Sequence, residues 1–483
     1  MNSKTLCTTL ILLLVIILGL GFTQSPTQAA VLDRLIVGNS PDEPQTPQAG
    51  TPKWNLLYID GLQNEVNIGS DASLAFDLTS NTPYISYYNH KTANLMLASP
   101  VSSGANCGDG KWWCRAVDTG GDVGLGSSLA IHDKVSTTGG KLGISYYDAT
   151  NKRLRFAQWS CGGMGGCNWG FYNFFSGDAY LDPGRYSSLK YNSQGEPQIA
   201  YFMTWNLPYN PSSYVKFCKW VGSGGNDANG AFTCTDVARS SVLNYGLYPS
   251  LALDPNDHPR IAYYDGQFGN LSYAQEGANG SGDCYSDDWW CDWIDFTGDV
   301  GKYPSMDIVQ VNGSTEIHIA YYDASNGKLK HAWMTPFNSN CGPLIGSLYL
   351  WKCDTVDTMG VGINWPAISL TLDENANPYI AYQDYNDETN DLKLARRPGT
   401  LGLLIGNCGE VPGLIGPYQC DEIDPGGHGG ANTNDGFFPS IARNSFGLIN
   451  IAYKEYDYFY ESGSLKLAYQ NFATFLPLVA KNP

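Results

Sequence analysis

Basic residues are scarce in this chain: 28 Lys and Arg stand against 46 Asp and Glu, a formal net charge of −18. That balance argues against nucleic acid and anionic membrane surfaces as partners, because both select for positive charge. Histidine is rarer still, with six in 483 residues. His90, His132, His258 and His428 share no common repeat position, which disfavours a His-based metal site. Helical periodicity is missing from the segments between the repeats described below, so no helix is expected there. There is no G-x-S-x-G, P-loop or H-E-x-x-H, so the familiar hydrolase, nucleotide and metalloprotease signatures are absent.

What is present is one phrase said seven times. Residues 248–274 read YPSLALDPNDHPRIAYYDGQFGNLSYA. Leu251–Leu253 is a short apolar run, and Asp254–Asp257 supplies turn formers. Ile261–Tyr264 is a second run ending at Asp265, and Leu271–Ala274 a third. Copies open at Ser73, Ser128, Ser188, Ser250, Ser305, Ala367 and Ser440. Their second strands run from PYISYYN through PRIAYYD to INIAYKE, and their third strands from LMLA to LKLA. Repetition at 55 to 73 residues, with strands and no helices, predicts a β-propeller. The second strands are apolar at nearly every position rather than alternating, so both faces must be covered. Most of the 32 tyrosines are therefore expected between blades.

Residues 1–29, with Lys4 ahead of the uncharged run Leu10–Phe22, read as a secretory signal peptide. Residues 30–53 are a Pro/Gln/Thr-rich lead-in, 54–472 the propeller and 473–483 a C-terminal tail. Cysteine usage agrees with export. Cys7 lies in the signal, and the other twelve fall into close pairs, one after each third strand but the last: Cys107/Cys114, Cys161/Cys167, Cys218/Cys234, Cys284/Cys291, Cys341/Cys353 and Cys408/Cys420. Neighbour-to-neighbour disulfides are expected, each tying a third strand to an outer fourth strand. Those fourth strands begin at the second cysteine, as in CRAVD at 114–118 and CDWID at 291–295. The last copy has no fourth strand of its own. Trp54–Asp60, WNLLYID, matches WWCRAVD with Leu56 in the cysteine position, so it should complete the last blade. The prediction is an all-β, seven-bladed propeller of four-stranded antiparallel blades, closed by the N-terminal strand.

The repeat S-L-A-x-D-x-x-x-x-P-x-I-A-Y-Y-D-x-x-x-G-x-L-K-x-A resembles that of secreted bacterial β-propellers, the broad sialidase-like and propeller-lectin group, over Trp54 to about Phe472. The resemblance implies the propeller architecture and export. The sialidase Asp-box, S-x-D-x-G-x-T-W, occurs in no copy, and Arg115, Arg185 and Arg260 hold no equivalent repeat position. No arginine triad for a substrate carboxylate is therefore expected. The closing NFATFLPLVAKNP is similar to the endings of many secreted bacterial proteins.

Candidate function sits where the repeat is broken. Asp148, Asp265, Asp323 and Asp384 each end a second strand and are expected to cap turns. The connections between blades carry Asp122 in GGDVG, Asp178 in SGDAY and Asp299 in TGDVG, and end in an aromatic near the channel: Tyr186, Tyr248, Tyr303, Trp365 or Phe438. Asp accepts hydroxyl hydrogen bonds, and an aromatic ring offers an apolar face to a sugar. The candidate ligand-binding set is Asp122, Asp178, Asp299, Tyr186, Tyr248, Tyr303 and Trp365, with no metal or cofactor expected. DYNDETND at 384–391 has the acid density of a calcium loop without the EF-hand spacing. The expected role is a secreted, monomeric binder of an extracellular glycan or protein. The alternative is a propeller glycosidase or polysaccharide lyase using channel carboxylates.

Overall fold

The computed structural model describes residues 54–61, 67–132, 135, 140–162, 166–174, 179–277, 284–335, 339–342, 351–363, 367–385, 390–397, 406–411, 414–425, 433–457 and 460–470. The signal and lead-in read at 1–53 and the tail at 473–483 lie outside them. Every regular element among the described residues is a strand.

The first strand is β1 (Trp54–Asp60), followed by β2 (Ile68–Asp77), β3 (Thr82–Asn89), β4 (Asn94–Pro100) and β5 (Trp112–Asp118). Next come β6 (Val123–His132), β7 (Lys141–Asp148), β8 (Arg153–Gly162) and β9 (Gly166–Asn173). Two more sets of four follow. They are β10 (Leu181–Tyr191), β11 (Pro197–Trp205), β12 (Ser212–Trp220) and β13 (Phe232–Ser240), then β14 (Tyr245–Leu253), β15 (Pro259–Asp265), β16 (Asn270–Glu276) and β17 (Trp289–Asp295). Beyond them lie β18 (Val300–Val311), β19 (Ser314–Asp323), β20 (Lys328–Met334) and β21 (Trp351–Thr358), then β22 (Ile368–Leu372), β23 (Pro378–Asp384), β24 (Asp391–Arg396), β25 (Cys408–Val411) and β26 (Leu414–Asp424). The last three are β27 (Thr433–Arg443), β28 (Ile449–Asp457) and β29 (Ser462–Gln470).

They form six sheets. Four are consecutive antiparallel meanders, β2–β5, β6–β9, β10–β13 and β14–β17. A fifth has the order β1-β29-β28-β27, so the N-terminal strand does pair with the last hairpin, from Trp54↔Gln470 onward. The sixth holds nine strands in the order β18-β19-β20-β21-β25-β26-β24-β23-β22. This departs from uniform four-stranded sheets. β25 forms a hairpin with β26 and touches β21 through the single pair Thr355↔Glu410, so two meanders are joined at their outer edges.

The sheets succeed one another as the repeats do, in the manner of a β-propeller. β2 packs on β6, β6 on β10, β10 on β14, β14 on β18, β18 on β22, β22 on β27, and β27 again on β2. A hydrogen-bonded relay marks the same cycle. The hydroxyls of Ser73, Ser128, Ser188, Ser250, Ser305, Ser369 and Ser440 accept from the backbone N–H of Leu129, Leu189, Leu251, Met306, Leu370, Ile441 and Leu74, at 2.9–3.1 Å. This corrects the start of the sixth copy. Ser369 takes the place expected of Ala367, because Trp365–Pro366 stand two residues further from the strand than Tyr248–Pro249 do.

The second-strand tyrosines are core, as expected. Tyr87, Tyr146, Tyr201, Tyr263, Tyr321, Tyr382 and Tyr453 are all fully buried. Five of them donate to an aspartate at or next to the end of an outer strand of the preceding meander: Asp60, Asp118, Asp295, Asp357 and Asp424. A buried phenol needs an acceptor, and the recurring Asp of WNLLYID, CRAVD and CDWID supplies it.

All six cysteine pairs are bridged as read from the sequence. What the bridges tie together needs correcting. Only Cys161–Cys167 and Cys218–Cys234 join third to fourth strand directly, paired in register across β8/β9 and β12/β13. Cys107–Cys114, Cys284–Cys291, Cys341–Cys353 and Cys408–Cys420 do not. Their fourth-strand members Cys114, Cys291, Cys353 and Cys420 stand opposite Ala98, Ala274, Ala332 and Ala395 of the third strand. An alanine offers no sulfur, so each of these cysteines bonds back to the segment leading into its own strand.

In three of the four an asparagine just before the first cysteine holds that segment in place. The Asn106, Asn340 and Asn407 side chains each accept from and donate to the backbone of Cys114, Cys353 and Cys420. The amide thus imitates a paired strand. For Cys291 the backbone does this work, since the Cys284 N–H donates to the Trp289 carbonyl at 3.2 Å. The Cys291 sulfur also lies against the sheet interior, 3.6 Å from the Tyr263 hydroxyl that donates to it.

Candidate functional site

The inner strands share a local device. Before the repeat serine, six of them place Gly four residues upstream and a residue of positive φ two residues upstream. The glycines are Gly69, Gly124, Gly184, Gly246, Gly301 and Gly436. A β-carbon at Gly184 would stand 2.5 Å from the Cα of Leu154 in the previous sheet, so only glycine lets the sheets close up there. The ladder is interrupted on both sides of these positions, as between Tyr245/Leu247 and Leu247/Ser250. A bulge of this kind re-aims one side chain out of the pleat.

The residues it re-aims face the channel. They are Asp71 (φ 52°), Gly126 (59°), Tyr186 (55°), Tyr248 (57°), Tyr303 (52°) and Phe438 (50°). The left-handed region costs an aromatic residue roughly 1–2 kcal/mol, and such strain concentrates where a side chain is held for use. Tyr186 and Tyr248 have ring centroids 4.4 Å apart, and Tyr248 stacks on Tyr303 at 3.8 Å and 23°. All six, with Ala367, line a cavity of about 240 Å³. A wider chamber of about 640 Å³ shares part of that wall and adds Ser70, His90, Tyr147, Lys152 and Arg185.

Burial raises all three channel phenols above the tyrosine range, Tyr303 to about 12. They are neutral donors at any physiological pH. Burial likewise raises the Asp71 carboxyl, against the opposing Gly126 N–H and Lys454 ammonium. Beside it Lys454 donates to the Ser70 hydroxyl at 2.9 Å, and Ser70 lies 2.8 Å from His90 Nε2. Burial and then the Lys454 charge lower His90 to about 4. The neutral imidazole is thus free to accept the hydroxyl proton of Ser70. Lys454 is lowered to about 8, again by burial.

No family model matches this chain, and no curated protein matches it. Among solved structures it is similar to the polysaccharide lyase Uly1, at 10% identity over 86% of this chain and 97% of that one, with a TM-score of 0.42. It is also similar to an α-L-arabinofuranosidase from Lactobacillus brevis, at 11% identity over 71% and 89% of the two chains and a TM-score of 0.30. For the WD40 domain of SCAP from fission yeast the figures are 8%, 86%, 87% and 0.38. These are likenesses of chain course, and no substrate passes through them to this chain.

Of the candidate residues, Tyr186, Tyr248 and Tyr303 come together at the channel. Asp122 and Asp299 lie on the connections, outside both cavity walls. Asp122 accepts from the Tyr88 hydroxyl at 2.7 Å and its own N–H donates to Thr150. Asp299 accepts from Tyr264 at 2.7 Å, pairs with Lys302 at 2.6 Å, and its N–H donates to Ser325. Asp178 and Trp365 lie outside the described residues, as do 386–389 of the DYNDETND stretch; the sixth inner strand brings Ala367 to the channel. The repeated aspartates hold turns: Asp148, Asp265 and Asp323 accept from the N–H of Asn151, Gln267 and Asn326, while Asp384 pairs with Lys393. Sequence reasoning passed over Asp71, Ser70, His90 and Lys454. The Gly-x-x-x-Ser spacing of the inner strands was the available signal for Asp71 and its neighbour.

Proposed function

We propose that this chain is a secreted, seven-bladed β-propeller that binds an extracellular carbohydrate at the mouth of its channel. The arc of Tyr186, Tyr248 and Tyr303, held in left-handed backbone at the channel, carries the reading. A sugar presents an apolar C–H face to such rings and hydroxyls to Asp71, Ser70 and the phenols. The closed serine relay supports the count of seven, with the nine-stranded sheet taken as two blades joined at their edges. Six disulfides, and the lack of any helix long and apolar enough to cross a membrane among the described residues, agree with export. Asp71 is the one acid on the described cavity walls, which disfavours glycoside cleavage by two facing carboxylates.

The test is a glycan panel titrated against the full chain and against Tyr248→Ala/Tyr303→Ala. The double variant should bind the hit at least tenfold more weakly, about 1.4 kcal/mol. Equal affinity moves the site off the channel, and release of reducing or unsaturated ends from the panel makes the protein an enzyme.

A further inference from the structure

A second site is built on the outer edge, between the sheets β2–β5 and β6–β9. Nine of the ten arginines fall among the described residues. Seven of them pair with a carboxylate, and Arg239 donates to the Tyr285 hydroxyl. Arg115 alone has neither a carboxylate nor a hydrogen-bond acceptor among the described residues, and its Nε is buried without a partner. In a chain with 46 acids to 28 bases, a cation left unpaired is out of character.

Its position in the repeat sharpens the point. The residue after the second cysteine is Asn168, Thr235, Asp292, Asp354 or Asp421 elsewhere, and Arg115 here. Asp354 and Asp421 each take an arginine from the chain, Arg397 and Arg396. Here the polarity is reversed, and no counter-charge is supplied among the described residues.

The guanidinium sits instead in an aromatic cage. Its carbon lies 4.9 Å from the ring centre of Trp113 on β5, 5.0 Å from Trp159 on β8 and 5.9 Å from Trp169 on β9. The cage orients the planar fork, since rings hold a guanidinium by its face and leave its edge for acceptors. Trp113 is 40% exposed, and Phe171, stacked against Trp169, is 39% exposed. Exposed aromatic rings therefore stand beside an unmet guanidinium donor.

We propose that this notch binds a carboxylate-bearing sugar residue, its pyranose face on Trp113 and its carboxylate accepting two parallel N–H bonds from the Nη1/Nη2 end of Arg115, the Nε being closed off. The site is independent of the channel and does not rest on the reading given for it.

Tryptophan fluorescence of the full chain reports directly on the cage. Titration with trigalacturonate, a sulfated galactose oligosaccharide, an acidic peptide and neutral cellotriose separates the anion classes. Trigalacturonate should bind in a salt-sensitive manner, with Arg115→Gln and Trp113→Ala each weakening it at least tenfold. Arg115→Lys should fall between, because it keeps the charge and loses the fork. It is also the folded comparison should Arg115→Gln melt early. The proposal is overturned if wild type does not bind trigalacturonate, if Arg115→Gln binds it equally well, or if a sulfated sugar or an acidic peptide takes its place with the same Arg115 dependence.

Discussion

Acid should weaken this protein through one buried histidine pair. His318 on β19 and His331 on β20 are 4% and 0% exposed. His318 Nδ1 lies 3.0 Å from His331 Nε2, and His331 Nδ1 lies 2.8 Å from the Tyr418 hydroxyl. Trp333 stacks on His331, and the Arg397 guanidinium lies 4.2 Å over Trp333. Burial first, and then the Arg397 charge, lowers His318 to about 3 from its ordinary 6.5. The folded state therefore keeps this ring neutral while the unfolded chain takes up a proton near pH 6.5. The stability it lends is complete above that pH and is lost as the pH falls toward 3. At ~1.36 kcal/mol per pH unit, the loss from pH 7 to pH 4.5 is about 2.5 kcal/mol. Chemical denaturation of wild type and His318→Gln at the two pH values measures it. The substitution costs stability at pH 7, but its own decline toward pH 4.5 should be shallower by about that amount. Parallel declines would refute the argument, because they would place the acid sensitivity in other groups.

Two more predictions concern strain and charge. Tyr248→Gly should be more stable than Tyr248→Ala by roughly 1 kcal/mol, because glycine alone is relaxed at φ 57°; an alanine variant that equals or exceeds the glycine one in a melting comparison would mean the backbone there is unstrained. Lys466 is enclosed by Asp424, Asp435 and Glu455. Lys466→Met leaves those acids uncompensated and should cost about 3–5 kcal/mol at pH 7.5. In chemical denaturation the double variant Lys466→Met/Asp424→Asn should recover much of that loss; an equal loss in the single and double variants would count against a charge effect.

Much of the fold was legible because its signals are local. An apolar run, a turn cluster and a cysteine pair each declare themselves within a dozen residues, and seven copies average out the exceptions. Tyr87 and its six counterparts were readable as core for the same reason. Cysteine partners were readable too, but not what they fasten: Cys291 faces Ala274 across the ladder, and that register is invisible in the spacing. The sixth copy misled because WPAIS keeps the aromatic–Pro pair while shifting it two residues, and only the Ser369 hydrogen bond to Ile441 fixes its register. The outer junction at Thr355↔Glu410 depends on the β25–β26 hairpin, which among the described residues is elsewhere reduced to the isolated bridges Cys107↔Trp112 and Cys341↔Trp351. The candidate site was half legible. Tyrosines before Pro249 and Pro304 marked the channel, but nothing in the letters shows a positive φ. Asp122 and Asp299 were drawn in by their glycine surroundings, and they turn out to hold neighbouring tyrosines. Arg115 stands out in the letters as the one base after a second cysteine, but its lack of a partner is a property of three dimensions.

The pairing of β1 with β29 bears on biosynthesis. Strand β1 leaves the ribosome before the other described strands and finds its place only when the last hairpin arrives, about 400 residues later. At ~5–20 residues per second that is a wait of roughly 20 to 80 s. During that interval the ring is open and β1 has no partner edge, so no truncated nascent chain can reach the final state. A contact this distant in sequence also makes closure a slow step by topology alone.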